Sequence, residues 1–267
     1  MAYNTTGKSH KLGIKGEEVT RYLIESRVGM FGNNPKVEPR GGTCYKEDLL
    51  VNGQFKISAK NREGASGTYD YINTSKLSFI SNYYFEELKR YMLEVKHSEK
   101  DKGHSKESIK HVKSLVRDKF EELSNAALMS LDSSEIEDIV NRGLYEYIND
   151  PSFYFSLTHK AKGSLIIFQA NKHPLIKFLN RNDKVTYSLK EGRGRTSASI
   201  NFRDNSGQDH DFGLRLRLVT NNGLGALLAG KDVSSNPGSV LVFKLQQDNP
   251  DRYIDQIPAA DKETIRL

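Results

Sequence analysis

The sequence predicts a mixed α/β (α+β) fold, a central mixed β-sheet flanked by helices, with a helical insertion. Three observations predict it. Apolar residues recur at helical spacing near the N-terminus and again across residues 75–149. Short β-rich runs, separated by clusters of Gly, Asn and Ser, fill the stretch between those helices and much of the chain after residue 164. The order along the chain is therefore helix, strands, helices, strands, with no internal repeat.

Residues 15–26 read as the first helix, with Val19, Tyr22, Leu23 and Ile24 as its apolar stripe. Glu17 and Glu18 fall in its first turn, where negative charge suits the helix dipole. Gly41-Gly42 leads into a hairpin over residues 47–60, and residues 69–72 continue its sheet. Phe79, Tyr83, Leu88, Tyr91, Met92 and Val95 mark the next helix, which a polar break at 98–103 separates from another over 105–128. Asp132-Ser133-Ser134-Glu135 is a capping box opening a third helix that must stop near Pro151. Further strands are expected over 165–168, 184–189, 197–202, 214–219 and 240–245. The chain divides on this reading at residues 76 and 150. Residues 1–76 carry the hairpin, 77–150 form the helical insertion, and 151–267 supply strands that complete the sheet and contact a ligand.

At 267 residues the chain can bury a core as one large or two modest domains. Its net charge of +6, from 40 basic and 34 acidic residues, suits a polyanionic partner without singling out nucleic acid. A single cysteine, Cys44, excludes an internal disulfide and suits a reducing compartment. With no histidine near it in sequence, it reads as a small packing residue rather than a nucleophile. Residues 1–11 are polar and lack the apolar core of a signal peptide, and the longest apolar run, Leu165-Ile166-Ile167-Phe168, is far too short to span a bilayer. The expectation is a cytoplasmic protein without membrane contact.

The hairpin, Glu47-Asp48-Leu49-Leu50-Val51-Asn52-Gly53-Gln54-Phe55-Lys56-Ile57-Ser58-Ala59-Lys60, carries the chemistry. Side chains alternate along a strand, so Phe55, Ile57 and Ala59 share one face of the second arm and Lys56, Ser58 and Lys60 the other. The first arm depends on the turn. A two-residue Asn52-Gly53 loop sets Glu47 opposite Ser58 and buries Asp48 with Leu50, Phe55 and Ile57. A three-residue loop with a glycine bulge shifts the parity by one. Leu49, Val51, Phe55, Ile57 and Ala59 then make a wholly apolar face, and Asp48, Ser58 and Lys60 project together from the other. Because a buried, unpaired carboxylate is costly, the three-residue loop is favoured; with the shorter loop Glu47 is the better candidate. A carboxylate beside a lysine can hold a metal ion and steady charge building on phosphorus. The competing reading is an ordinary surface hairpin with a solvated acid and lysine.

Other signals are weaker. His97, His104 and His111 recur by sevens, but Gly103 and the polar residues around it break the helix that would align them, so a solvated charged surface is the reading. Residues 223–230 are glycine-rich but lack the Gly-Lys-Ser/Thr ending of a phosphate loop. Residues 190–195 (Lys-Glu-Gly-Arg-Gly-Arg), with Arg193, Arg195 and nearby Arg203, form the clearest basic cluster, able to fork onto phosphates or guanine edges. Asp204, Asp209 and Asp211 dilute it. Asn73, Ser75 and Lys76 could face a phosphate backbone, or Ser75 could cap the following helix.

Taken together, these pieces resemble the PD-(D/E)XK nuclease superfamily, especially small type II restriction endonucleases. Gly13-Ile14-Lys15-Gly16-Glu17 looks like the Gly-x-x-x-Glu opening of that superfamily's first helix. Lys46-Glu47-Asp48 before Leu49-Leu50-Val51 looks like its metal-binding strand, and Ser58-Ala59-Lys60 takes the place of its (D/E)-x-K half-motif. Ser199-Ile200-Asn201-Phe202 and Val240 to Leu245 resemble the C-terminal strands of the small enzyme that cuts GCGC sites. The resemblance implies a Mg²⁺-dependent enzyme cutting double-stranded DNA as a monomer or homodimer. It implies that Asp48 binds the metal, joined by Glu17 directly or through water, the Ala59 carbonyl and the DNA phosphate. Ser58 would orient a metal-bound water, Lys60 would position the attacking water and stabilise the phosphorane charge, and Asn73, Lys76, Arg193, Arg195 and Arg203 would contact the duplex. Ser58 departs from the pattern in carrying no charge, so Mg²⁺ affinity should be weak until DNA binds. A structure-selective nuclease resembling junction resolvases, and a non-catalytic DNA-binding protein on a nuclease fold, remain alternatives.

Overall fold

The computed structural model describes residues 8–40, 47–62, 69–74, 82–99, 106–159, 162–192, 196–220 and 241–267. Cys44, Ser75, Lys76, Phe79, His104, Arg193, Arg195 and the glycine-rich stretch 223–230 lie outside them. The described elements are α1 (Lys8–Arg27), β1 (Val37–Pro39), β2 (Leu49–Val51), β3 (Phe55–Arg62), β4 (Tyr69–Thr74), α2 (Tyr83–Glu99), α3 (Lys106–Met129), α4 (Ser133–Asn149), β5 (Phe153–His159), β6 (Ser164–Gln169), α5 (Pro174–Arg181), β7 (Thr186–Glu191), β8 (Ser197–Arg203), β9 (Asp209–His210), β10 (Leu214–Thr220), β11 (Leu241–Gln247), α6 (Pro250–Ile254) and β12 (Lys262–Arg266). The mixed α+β class is as the sequence predicts. Among the described residues no helix is long and apolar enough to cross a membrane.

The strands form two sheets rather than one central sheet. The first runs β1-β2-β3-β5-β6-β12, and the second runs β4-β11-β10-β8-β7 with β9 on β8. They belong to two compact units, each built from separated segments: Met1–Tyr69, Tyr145–Asp183 and Asn249–Leu267 in one, Asp70–Leu144 and Lys184–Asp248 in the other. The divisions at 76 and 150 therefore do not separate the units. Residues after 151 do not complete a single sheet either: β5, β6 and β12 join the first, while β7 to β11 build the second. The physical reason is β5. It pairs in parallel with β3, Lys56 opposite Phe153 through Arg62 opposite His159, and so takes the edge that β4 would have needed. β4 joins the second sheet instead.

In the first unit α1 lies on the apolar face of β2 and β3. Leu23, Ile24, Val28, Phe31, Val37, Leu49, Val51, Ile57, Leu165 and Ile167 are all buried in this core. The helix begins at Lys8, not at residue 15. Its inward stripe is Gly16, Thr20, Leu23 and Ile24, while Val19 and Tyr22 are 42% and 61% exposed. Thr20 turns inward because its hydroxyl shares a 3.0 Å hydrogen bond with Thr158 on β5, which satisfies a polar group in an apolar setting.

The hairpin turn has three residues. Val51 faces Phe55, Leu50 faces Lys56 and Leu49 faces Ile57. Asn52 and Gly53 sit at φ of 53° and 66°, the left-handed region that Asn and Gly tolerate best, and Gln54 N–H closes onto Val51 O at 3.0 Å. Asn52 also fastens the tip to the segment after α1. Its Oδ1 accepts from Lys36 N–H at 2.8 Å and its Nδ2 donates to Phe31 O at 3.0 Å.

In the second unit α2 and α3 pack on the apolar face of the sheet, with Phe85 against Phe243 at 5.8 Å between ring centroids and Asn125 bonded to Glu191 at 3.2 Å. The helices therefore share a core with β7, β8, β10 and β11 instead of standing as a separate insertion, because their apolar stripes need the sheet's apolar face to cover them. The capping box of α4 forms as expected: Asp132 Oδ1 accepts from Glu135 N–H at 2.9 Å, and Glu135 Oε2 accepts from Asp132 N–H at 3.0 Å.

Ile57 is fully buried between α1 and the sheet. Ile57→Ala should lower unfolding free energy by about 2–5 kcal/mol, read as a drop in the urea midpoint at unchanged m-value.

Candidate active site on the hairpin

Strand β2 stops pairing with β3 at Leu49, and the chain before it leaves the ladder. Asp48 stands at this exit. Its N–H donates to Ile57 O at 2.9 Å and its carbonyl accepts from Arg40 N–H at 2.8 Å, so its backbone is held from both sides. Its Oδ2 accepts the next N–H along β3, that of Ala59, at 2.7 Å. The carboxylate thus continues the ladder where the backbone cannot, leaving its second oxygen for other partners. Ala59 N–H and C=O lie on the same edge of β3, since both backbone groups of a strand residue point the same way. The Ala59 carbonyl therefore faces the side from which Asp48 approaches.

The three-residue turn sets Leu49 opposite Ile57, and one step beyond it the Asp48 carboxylate, bonded to Ala59 N–H, comes within electrostatic reach of Ser58 and Lys60, which share a face of β3. Glu47, the alternative for a two-residue loop, is buried but displaced by one residue from that position. Glu17, on α1, is linked to the group by charge, through Asp48 and Lys60. Three and seven residues before Thr20 and Ile24, it lies on the inward side of the helix and is half-buried, whereas Glu18 is exposed beside Tyr22 and Arg27. Because α1 starts at Lys8, neither glutamate is in the first turn, and the helix dipole does not account for Glu17.

The electrostatics tie these residues together. Burial pushes the Asp48 carboxyl above its ordinary range, against the opposing pull of Lys60, the Ala59 N–H and the Ser58 hydroxyl. Glu17 is also raised, first by burial and then by the Asp48 charge, with Lys60 again opposing. Lys60 thus stabilises two carboxylates at once.

A residue that the sequence did not single out completes the site. Tyr147, in the last turn of α4, is buried with its ring 4.9 Å from Phe153 and 4.6 Å from Phe155. Those rings lie opposite Lys56 and Ser58 on β5, so Tyr147 covers the same face as Ser58. Burial drives its phenol strongly upward, and both Ser58 and Asp48 act on it. Ser58 is fully buried between these groups, yet its Oγ has no partner at hydrogen-bond geometry among the described residues. In the sequence Tyr147 follows Val140 and Leu144 at helical spacing, which is indistinguishable from ordinary core.

Lys56, on the same face, is held by Asp150 at 2.9 Å, and that hydrogen bond raises its pKa. Among the described residues no group of three or more His, Cys, Asp or Glu side chains converges to hold a metal; the site's carboxylates are Asp48 and Glu17.

Of the expected DNA contacts, Lys76, Arg193 and Arg195 lie outside the described residues. Asn73 belongs to β4 in the second unit. Arg203, also in the second unit, is clamped by Asp209 through contacts of 2.7 and 3.3 Å. Gly192 fixes the entry to the basic turn, because a Cβ there would meet Ser197 O at 2.5 Å.

With folded pKa values above the unfolded ones, Asp48 and Glu17 give the fold more bound protons than the unfolded chain across the interval between them. Their contribution to stability is therefore greatest at acid pH and falls as pH rises through that interval. Asp48→Asn keeps an acceptor for Ala59 N–H and removes the charge. It should lose less stability than the wild type as pH rises from about 4 to about 8, measured by urea midpoints across that range.

No protein-family model matches this chain, and no curated protein sequence matches it.

Proposed function

We propose that the chain is a Mg²⁺-dependent endonuclease that hydrolyses phosphodiester bonds of double-stranded DNA at a short specific sequence, in the manner of type II restriction endonucleases. The observation that carries the reading is the Asp48 carboxylate fixed by Ala59 N–H at the mouth of a splayed hairpin, within electrostatic reach of Ser58 and Lys60, with Glu17 coupled to both charged members.

The donor set suits a hard divalent cation. Two carboxylates pushed toward the neutral form, Asp48 by burial and Glu17 by burial and the Asp48 charge, are groups that a cation would satisfy. Asp48 through its second oxygen, Glu17 and the Ala59 carbonyl would hold Mg²⁺. When bound, the ion polarises the scissile phosphate and makes its coordinated water more acidic. The protein's own residues do the rest. The Ala59 N–H fixes the direction of Asp48. The Ser58 hydroxyl orients the attacking water. The Lys60 ammonium bonds the phosphate oxygens and stabilises the charge that builds as the water oxygen joins phosphorus and the leaving oxygen departs.

In plasmid cleavage with Mg²⁺, Lys60→Ala should lose about 10²–10³-fold in rate; undiminished cutting would sink the assignment. Glu17→Ala should be impaired and Glu18→Ala near wild type, and the reverse result would mean the wrong acid has been chosen. Discrete ends on a mapped plasmid support sequence-specific cutting, while nicks confined to cruciforms would replace it with a structure-selective nuclease. DNA binding without any Mg²⁺-dependent cutting would favour a non-catalytic protein, for which the uncharged Ser58 is the supporting feature.

Metal occupancy has its own readout. Because the metal competes with protons on Asp48 and Glu17, the rise in thermal midpoint on adding Mg²⁺ should grow with pH and vanish in Asp48→Asn. A pH-independent shift that survives in Asp48→Asn would place the cation elsewhere.

A further inference from the structure

The corner between α4 and β5 is tied to the hairpin at one residue of β3. Asp150, just after α4, accepts through Oδ1 from Ser152 N–H at 2.9 Å and from Ser152 Oγ at 2.6 Å, and through Oδ2 from Lys56 Nζ at 2.9 Å. Lys56 N–H in turn donates to Ser152 O at 2.9 Å. Side chain and backbone of Lys56 thus hold both ends of the corner and fix where the last turn of α4 lies on β3. Tyr147, three residues before Asp150, is thereby carried over the hairpin. Its ring rests on Phe153 and Phe155, which stand beside Lys56 and Ser58 in the parallel ladder, and only 2% of it is exposed.

Packing alone would be served as well by phenylalanine here, and a buried phenol must be answered by a polar group. Ser58 is fully buried, and its hydroxyl acts by hydrogen bonding on both the Tyr147 phenol and the Asp48 carboxylate. Neither contact has reached full hydrogen-bond geometry, as is common at sites that tighten when a reacting complex forms. Counting protons sets the directions. An ionised carboxylate only accepts, so the one Ser58 proton goes to Asp48 and the Ser58 oxygen accepts from Tyr147. Every proton has an acceptor in the order Tyr147, Ser58, Asp48. Lys60 and Glu47 act on Asp48 by charge, and Glu146 acts so on Tyr147. Charge sets no direction at short range, whereas a hydrogen bond does. Among the described residues, Ser58 and the Ala59 N–H hydrogen-bond the Asp48 carboxylate. One such bond leaves the carboxylate free to rotate about its own axis; a second removes that freedom.

We propose that Tyr147 is a positioning residue of the hairpin site: by donating to Ser58 it turns the Ser58 proton onto Asp48, and Ser58 with the Ala59 N–H then holds the carboxylate plane in the orientation that binds the metal. The identity of the bound ion as Mg²⁺ rests on the nuclease reading. The hydrogen-bonded row itself does not.

Tyr147→Phe keeps the packed ring and removes only the O–H. Groups that orient a metal ligand are worth about 10–100-fold in metal affinity or rate. The Mg²⁺ concentration needed for a given rise in thermal midpoint should therefore increase about 10-fold in Tyr147→Phe. The Mg²⁺ concentration for half-maximal plasmid cleavage should increase alike, with KM for DNA unchanged. In EDTA, urea unfolding of wild type, Tyr147→Phe, Ser58→Ala and the double variant should be non-additive, the double variant losing less than the two single losses together. A ring that merely packs predicts additive losses, and additivity overturns the proposal. So does a Tyr147→Phe response to Mg²⁺ equal to that of a wild type that does respond. The two readings fail separately. If Mg²⁺ affects neither protein while the losses in EDTA are coupled, the row stands and the nuclease reading falls. If Lys60→Ala abolishes cutting while Tyr147→Phe cuts with wild-type Mg²⁺ dependence, the row falls and the nuclease stands.

Discussion

The hydrogen bond from Ala59 N–H to the Asp48 carboxylate, at 2.7 Å, is where a sheet becomes a candidate site. Two paired strands satisfy each other's backbone groups and leave little for chemistry. When one strand departs, the other keeps a row of unsatisfied groups. Here a side chain takes over at the first of them, and in doing so is fixed in direction at the mouth of the splay. Lys60, one residue beyond Ala59, and Ser58, one before it, are then neighbours of a carboxylate that cannot turn away. Lys60 also offsets the repulsion between Asp48 and Glu17, so removing any one of the three alters the balance of the other two.

Much of this was legible in the residues. Asn52-Gly53 demanded a tight turn, and the three-residue form is the one found, although it does not spare Asp48 from burial: Asp48 is largely buried, and its carboxylate is bonded to Ala59 N–H instead. The capping box at Asp132 and Glu135 marked a helix start because its bonds are local. What escaped depends on distant partners. Phe153-Tyr154-Phe155-Ser156-Leu157-Thr158-His159 is buried on both faces, so it lacks the alternation that marks a half-exposed strand. Its aromatic and β-branched content was the available signal. Missing it led to one sheet instead of two. The stripe of α1 was misjudged for a related reason: Thr20 is inward only because Thr158 is there to bond it.

Glu17 and Tyr147 mark the limit of reading a site from its motif. Glu17 had a local explanation, the helix dipole, that held only while the helix was thought to begin seven residues later. Tyr147 had none beyond core packing, and its neighbours Phe153 and Phe155 stand on the strand the sequence concealed.

The parallel pairing of β3 with β5 also bears on how the chain acquires its structure. Lys56 and Asp150 are bonded across 94 residues of sequence, and the whole of the second unit's first segment, Asp70–Leu144, is made in between. During synthesis α1 and the hairpin emerge first, with the β5 edge of β3 bare and Tyr147 not yet made. The last strand of that sheet, Lys262–Arg266, is nearly the end of the chain. Loop closure over such spans is slow. The hairpin, local in sequence, is therefore able to form before the strand that encloses it on its β5 side.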